Sequence, residues 1–287
     1  MEKMINKCIE KICEKNNIYG EVSMVSTKFN TDRLFFANNY VIKIYPDQKE
    51  KYFFNENYIY ETLSGFECIP KIIDSGEMFG NKYIVITKID AIPIFSVWST
   101  YSEKQRENVI KQIADILKKI NLLKKGNNIT GFKQYVESQF ETNFYACDLD
   151  NDTKTSILKY YNNVFNKIEN NEEAFLIYPD FHFSNFLVDR NNKVYVIDFE
   201  QLMLAPLDYQ LSSICHMSNA PSIEAPKELN VNRADYLTIL EYFKKYYSEM
   251  FNKDWKDRVR LYNLIYDLKA VKNKKCSYEI LNKYMER

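Results

Sequence analysis

Glycine is scarce, with six in 287 residues and none after Gly131, so a Gly-rich phosphate cradle has no place in the C-terminal half. Histidine is scarcer, His182 and His216 alone. Because Cys8, Cys13, Cys68, Cys147, Cys215 and Cys276 form no C-x-x-C pair, the usual Cys/His zinc site is disfavoured. Cysteines this sparse cannot build a disulfide framework and read as buried thiols of a cytoplasmic protein. No stretch approaches the roughly 20 apolar residues that span a bilayer. The N-terminal MEKMINKCIEKICEKNN is broken by charge too often for the core of a signal peptide. Neither charge is in excess: 39 Lys plus Arg against 39 Asp plus Glu leave a formal net charge of zero. That removes the basic field on which a nucleic-acid or anionic-membrane partner would depend.

What is present is apolar mass. At 46% hydrophobic content the chain can form two lobes around a cleft, each with its own core. Ile5, Cys8, Ile9, Ile12 and Cys13 share one helical face at the start. From Val22 to Ile44 short β-type runs follow (VSMV, RLFFA, YVIKIY), with Asn38-Asn39 as a turn. Residues 49–63 return to helical spacing, and CIPKIIDSGEMFGNKYIVITKI reads as strand, turn at Phe79-Gly80-Asn81, strand. This first lobe is expected to end near Ile89. After Pro93, Ser102 and Gln105 form a capping box for a long helix with Gly126 as its C-cap. Residues 132–170 read as helical, with Asp150-Asn151-Asp152 as a turn, and further helices fill 233–286. The expected class is α+β: a β-rich lobe over 1–89 and a larger helical lobe over 90–287, with a hinge near 87–93.

One segment interrupts the helical lobe: FLIYPDFHFSNFLVDRNNKVYVIDFEQLMLAPLDYQL, residues 175–211. An apolar run leads into Tyr178-Pro179-Asp180, and Asn185 follows five residues later. A hairpin (FLV, a turn, VYVI) then delivers Asp198, so Asn185 and Asp198 are expected side by side. Two oxygen-bearing side chains held together, with a third carboxylate nearby, suit a hard cation such as Mg²⁺ and a base beside it.

The run Asp180-Phe181-His182-Phe183-Ser184-Asn185, followed by Ile197-Asp198-Phe199-Glu200, resembles the D-x-H-x-x-N…I-D-F-E pattern of the aminoglycoside phosphotransferase and choline kinase family. Protein kinases carry Gly at the position of Glu200 and a long activation segment. Here Pro206 and Asp208 follow almost at once, which disfavours a protein substrate. Val41-Ile42-Lys43 resembles the family's V-x-K strand, Glu56 the helix glutamate, and YIVITKID the strand and hinge that receive adenine. The resemblance implies a protein-kinase-like two-lobe fold. It implies that Lys43, oriented by Glu56, holds the α/β-phosphates of ATP (or GTP), that Thr87, Lys88 and Ile89 line the nucleotide's base, that Asn185 and Asp198 hold Mg²⁺, and that Asp180 is the base for a substrate hydroxyl. His182 is expected to be structural. The phosphate-covering segment, residues 26–32, lacks the family's glycine, leaving Ser26, Asn30 or Thr31 as substitutes. The triplet that usually begins His-Gly is Tyr178-Pro179.

Two functions remain in play. One is a small-molecule kinase acting on a hydroxyl. The other is a non-catalytic binding protein resembling the spore-coat members of the fold. Slightly more Lys and Arg than Asp and Glu after residue 210 favours a substrate less cationic than an aminoglycoside, such as an amino alcohol or a sugar-like metabolite. Trp98, Tyr161 and Trp255 read as core packing rather than a cage for a cation.

Overall fold

The computed structural model describes residues 2–25, 33–170, 172–226, 228–274 and 277–284. Residues 26–32, expected to cover the phosphates, lie outside them, as does Cys276. In chain order the elements are α1 (Glu2–Lys15), β1 (Val22–Met24), β2 (Arg33–Ala37), β3 (Tyr40–Tyr45), α2 (Glu50–Thr62), β4 (Ile72–Met78), β5 (Asn81–Thr87) and β6 (Ile92–Pro93). Then come α3 (Glu103–Leu123), β7 (Lys125–Gly126), α4 (Thr130–Phe144), α5 (Asn151–Phe165), β8 (Ala174–Ile177), β9 (Phe186–Val188), β10 (Val194–Val196) and β11 (Met203–Ala205). The chain finishes with α6 (Gln210–Asn219), α7 (Pro221–Glu224), α8 (Ile239–Tyr246) and α9 (Trp255–Lys272). No described helix is long and apolar enough to cross a membrane. The chain forms two compact units: Met1–Ser102 with Phe183–Leu202, and Glu103–His182 with Met203–Arg287.

The first unit is built on an antiparallel five-stranded sheet, order β1-β2-β3-β5-β4. Asn38, with φ of 53°, supplies the left-handed turn between β2 and β3. Strand alternation then decides which residues meet which helix. Ile42 and Ile44 of β3 join Phe35, Val85 and the α1 residues Ile5, Cys8, Ile9, Ile12 and Cys13 in one buried cluster. Lys43 and Tyr45 point to the opposite face, toward Glu56 of α2. The unit's second sheet has the order β10-β9-β6, with Ile92 opposite Val188 and Pro93 opposite Leu187. Pro93 has no N–H for a ladder, and β6 is an edge strand, where this costs nothing. Phe183 packs its ring against Trp98 and Phe95 at centroid distances of 4.6 and 5.7 Å.

The second unit surrounds a small sheet, order β11-β8-β7, with helices. The apolar face read for α3 is buried through Val109, Ile113, Ile116, Leu117 and Ile120. Two local expectations are corrected here. Gly126 is not a helix C-cap: it lies in β7 opposite Ala174, where a Cβ would come within 3.3 Å of the Ala174 methyl, so close strand approach is what the position requires. Asp150 is the N-cap of α5 rather than part of a free turn, its carboxylate accepting from the Thr153 N–H at 2.8 Å and from the Thr153 hydroxyl at 2.6 Å. Trp98 and Tyr161 are buried, as core residues should be. The described cysteines are all free thiols; Cys68 alone among them is only half-buried.

Candidate active site

In the first unit, Lys43 of β3 reaches Glu56 of α2 with 2.6 Å between Nζ and Oε2. Glu56 is fully buried, and each of its oxygens accepts twice. Oε2 takes Lys43 and the Tyr45 hydroxyl; Oε1 takes the Phe199 N–H at 3.1 Å and the Tyr60 hydroxyl at 3.2 Å. A buried carboxylate is tolerable only with such saturation. Burial, reinforced by the charge of Glu56, raises the pKa of Tyr45 and Tyr60 well above that of free tyrosine, so both stay protonated and donate.

The Lys43 ammonium also lies 3.4 Å from Asp198 Oδ1 and 3.3 Å from Glu200 Oε1. Burial by itself disfavours the charged lysine. The carboxylates of Asp198, Glu56 and Glu200 more than offset that, and its pKa stands well above 10.5. Oxygens of Glu56, Asp198 and Glu200 come within 4.8 Å of one another. One ammonium cannot neutralise three carboxylates, and Glu56 has no acceptor capacity to spare. Asp198 and Glu200 therefore form a hard, oxygen-rich corner with residual negative charge, which fits a Mg²⁺ ion.

Backbone geometry delivers these groups. The β9–β10 hairpin pairs Phe186 with Val196, and just beyond the register the Ile197 N–H donates to the Asn185 carbonyl at 3.0 Å. Asn185 is thus set opposite Ile197, and Asp198 follows one residue beyond it. Asp198 has φ of 65°, the left-handed region that non-glycine residues adopt at a cost of about 1–3 kcal/mol and that concentrates at functional sites. In this conformation the next N–H, that of Phe199, meets Glu56.

The remaining sequence candidates stand as follows. Thr87 ends β5, its hydroxyl accepting from the Lys71 N–H at 2.9 Å. The Lys88 N–H donates to the Asn39 carbonyl at 2.7 Å, and its ammonium lies over the Phe36 ring. Ile89 follows beyond the end of β5, half-buried. Asp180 belongs to the second unit, three residues after β8, partly exposed, with His182 Nε2 at 3.7 Å from its Oδ2. Behind it a buried network fixes the chain: the Tyr178 N–H donates to Gln210 Oε1 at 2.8 Å, Asn121 donates to the Leu176 carbonyl at 2.7 Å, and the Tyr247 hydroxyl donates to Asn121 at 2.6 Å. Sequence reasoning did not assign Glu200, Tyr45, Tyr60 or Asn55. Signals for two existed: Tyr45 shares the strand face of Lys43, and Tyr60 lies one helical turn beyond Glu56.

A Lys–Glu pair joining a strand to a helix, beside an acid delivered by a hairpin, is the arrangement of the protein-kinase-like fold. Comparison places the chain more narrowly: it belongs to the phosphotransferase enzyme family, whose model matches residues 28–244. Among solved structures it is similar to the ADP-bound aminoglycoside phosphotransferase APH(2'')-Ib, with TM-score 0.66, 14% identity, and 97% of this chain and 95% of that one covered. The streptomycin-ATP ternary complex of APH(2'')-IIa gives 0.64 at 16%, covering 97% and 93%. The choline kinase LicA from Streptococcus pneumoniae gives 0.59 at 16%, covering 99% and 96%. No curated protein sequence matches the chain.

Proposed function

We propose that the protein is an ATP-dependent kinase that phosphorylates a hydroxyl of a small molecule. The observation that carries this reading is the assembled Lys43–Glu56 pair, with Asp198 and Glu200 around the same ammonium. The proteins of similar fold support it, being described as binding ADP, or ATP with streptomycin, or as a choline kinase.

In this reading Lys43 grips the α/β-phosphates, and Glu56 keeps its ammonium aimed and charged. Asn185, Asp198 and Glu200 hold Mg²⁺, which when bound neutralises phosphate charge. Thr87, Lys88 and Ile89 border the nucleotide's base. Asp180 accepts the proton of the substrate hydroxyl and orients its oxygen toward the transferred phosphoryl group. Gln210 and Asn121 contribute by fixing the chain at residues 176 and 178 that leads into Asp180. A cytoplasmic location agrees with the free cysteines.

The test has two stages. MgATP should raise the melting temperature of the wild type, and a panel of amino alcohols, sugars and aminoglycosides should yield one acceptor gaining the mass of a phosphate. Asp180→Asn should then keep nucleotide binding but lower turnover by about 10²-fold or more. Unchanged turnover in that variant removes Asp180 as the base. Nucleotide binding without any transfer favours the non-catalytic reading.

A further inference from the structure

We infer that Asn55 is a positioning residue that sets the backbone presenting Asp198 and Glu200, an inference that rests on the kinase reading above. The Asn55 side-chain amide donates to the Glu200 carbonyl at 2.6 Å and to the Leu202 carbonyl at 3.1 Å. Its neighbour on α2, Glu56, accepts the Phe199 N–H, and Tyr60 sets its ring edge-on to Phe199 at 5.5 Å. Helix α2 therefore grips the segment after Asp198 at residue 199, residue 200 and residue 202.

This grip falls on a segment that runs between two strands. β10 ends at Val196 and β11 begins at Met203, so residues 197–202 have no strand ladder of their own. Within them Asp198 adopts a left-handed conformation that persists only where the surroundings over-determine it. The two carbonyls bound by Asn55 follow Asp198 by two and four residues, and one belongs to Glu200 itself. An amide is the right chemistry at this position: its NH₂ has two donors for two carbonyls. Both bonds of the Asn55 amide go to main-chain carbonyls, so it acts through the backbone.

Asn55→Asp is isosteric but turns an oxygen toward two carbonyl oxygens, and Asn55→Ala deletes both bonds without repulsion. The experiment measures binding of a non-hydrolysable ATP analogue by the full chain across a Mg²⁺ titration, alongside metal-free adenosine binding and melting temperature. Groups that orient metal ligands typically tune affinity by about 10- to 100-fold, so Asn55→Asp should raise the Mg²⁺ half-saturation by that order. Asn55→Ala should shift it in the same direction by less, and adenosine binding should be unchanged in both. A merely structural role would lower the melting temperature and leave the Mg²⁺ half-saturation where it is in the wild type; that result overturns the inference. Should the aspartate variant fail to fold, the alanine variant decides by the same criterion. If the wild type itself shows no Mg²⁺-dependent nucleotide binding, the kinase reading falls and takes this inference with it. Wild-type binding with unshifted variants overturns the inference alone.

Discussion

Replacing Lys43 by methionine removes the cation that bonds three carboxylates, and its cost can be worked out contact by contact. Glu56 is fully buried at 2.6 Å, Glu200 mostly buried at 3.3 Å, and Asp198, at 3.4 Å, has a 38% exposed side chain, so its share is largely screened. Unit charges about 4 Å apart interact by about 4 kcal/mol at an effective dielectric of about 20. Stripping one partner from a buried pair costs about 3–5 kcal/mol, most of it the penalty of the charge left behind. Lys43→Met should therefore lose about 3–5 kcal/mol in urea unfolding with chelator present. Glu56→Gln in the same background should relieve the stranded charge, leaving the pair of substitutions non-additive by about 2 kcal/mol. Adding Mg²⁺ should restore part of the stability of the single lysine variant by occupying the same acidic corner. The raised pKa of Lys43 fixes the pH window: its contribution is fully present below 10.5 and is lost only as pH climbs past that value and on through the higher native pKa. A loss below about 1 kcal/mol for Lys43→Met, or strict additivity in the double variant, would refute the buried-pair account.

Two further outcomes follow from the second unit. His216 has its pKa lowered by burial, with Asp267 opposing and Lys283 adding to the effect, so it is neutral in the native state where an unfolded histidine would protonate. Stability should hold above pH 6.5 and fall as pH drops through that value toward the lower native pKa, and His216→Gln should flatten that part of a melting-temperature profile. Gln210→Leu leaves the buried Tyr178 N–H without its acceptor and should cost about 1–3 kcal/mol in chemical denaturation while lowering kcat with little change in nucleotide KM.

Much of this site was legible in the sequence because its parts are local. Asn185 and Asp198 flank a hairpin whose turn and two apolar runs are contiguous, and Lys43 and Glu56 are thirteen residues apart on successive elements. What was hidden depends on partners distant in sequence. The two-residue strand β6 exists only because β9, ninety-odd residues later, offers it a ladder. Asn55 reads as an ordinary helix asparagine until residues 200 and 202 arrive against it, 145 and 147 positions on. Gly126 shows the reverse error: glycine after a long helix is commonly a stop, but here the strand beside it needs the missing side chain.

The return of residues 183–202 to the first unit governs how this protein can emerge from a ribosome. When synthesis reaches Ser102, the five-stranded sheet and α2 are complete, but β9, β10 and the acid that will sit beside Lys43 do not yet exist. At about 5–20 residues per second the intervening residues 103–182 take roughly 4–16 s to appear. During that interval Glu56 has no Phe199 N–H, Asn55 has no carbonyls, and β6 presents an unpaired edge. The nascent N-terminal unit must wait, unfinished, for a piece of chain encoded far downstream. The completion of this unit and the assembly of the acidic corner around Lys43 are then one event, and a ribosome stalled before residue 202 displays neither.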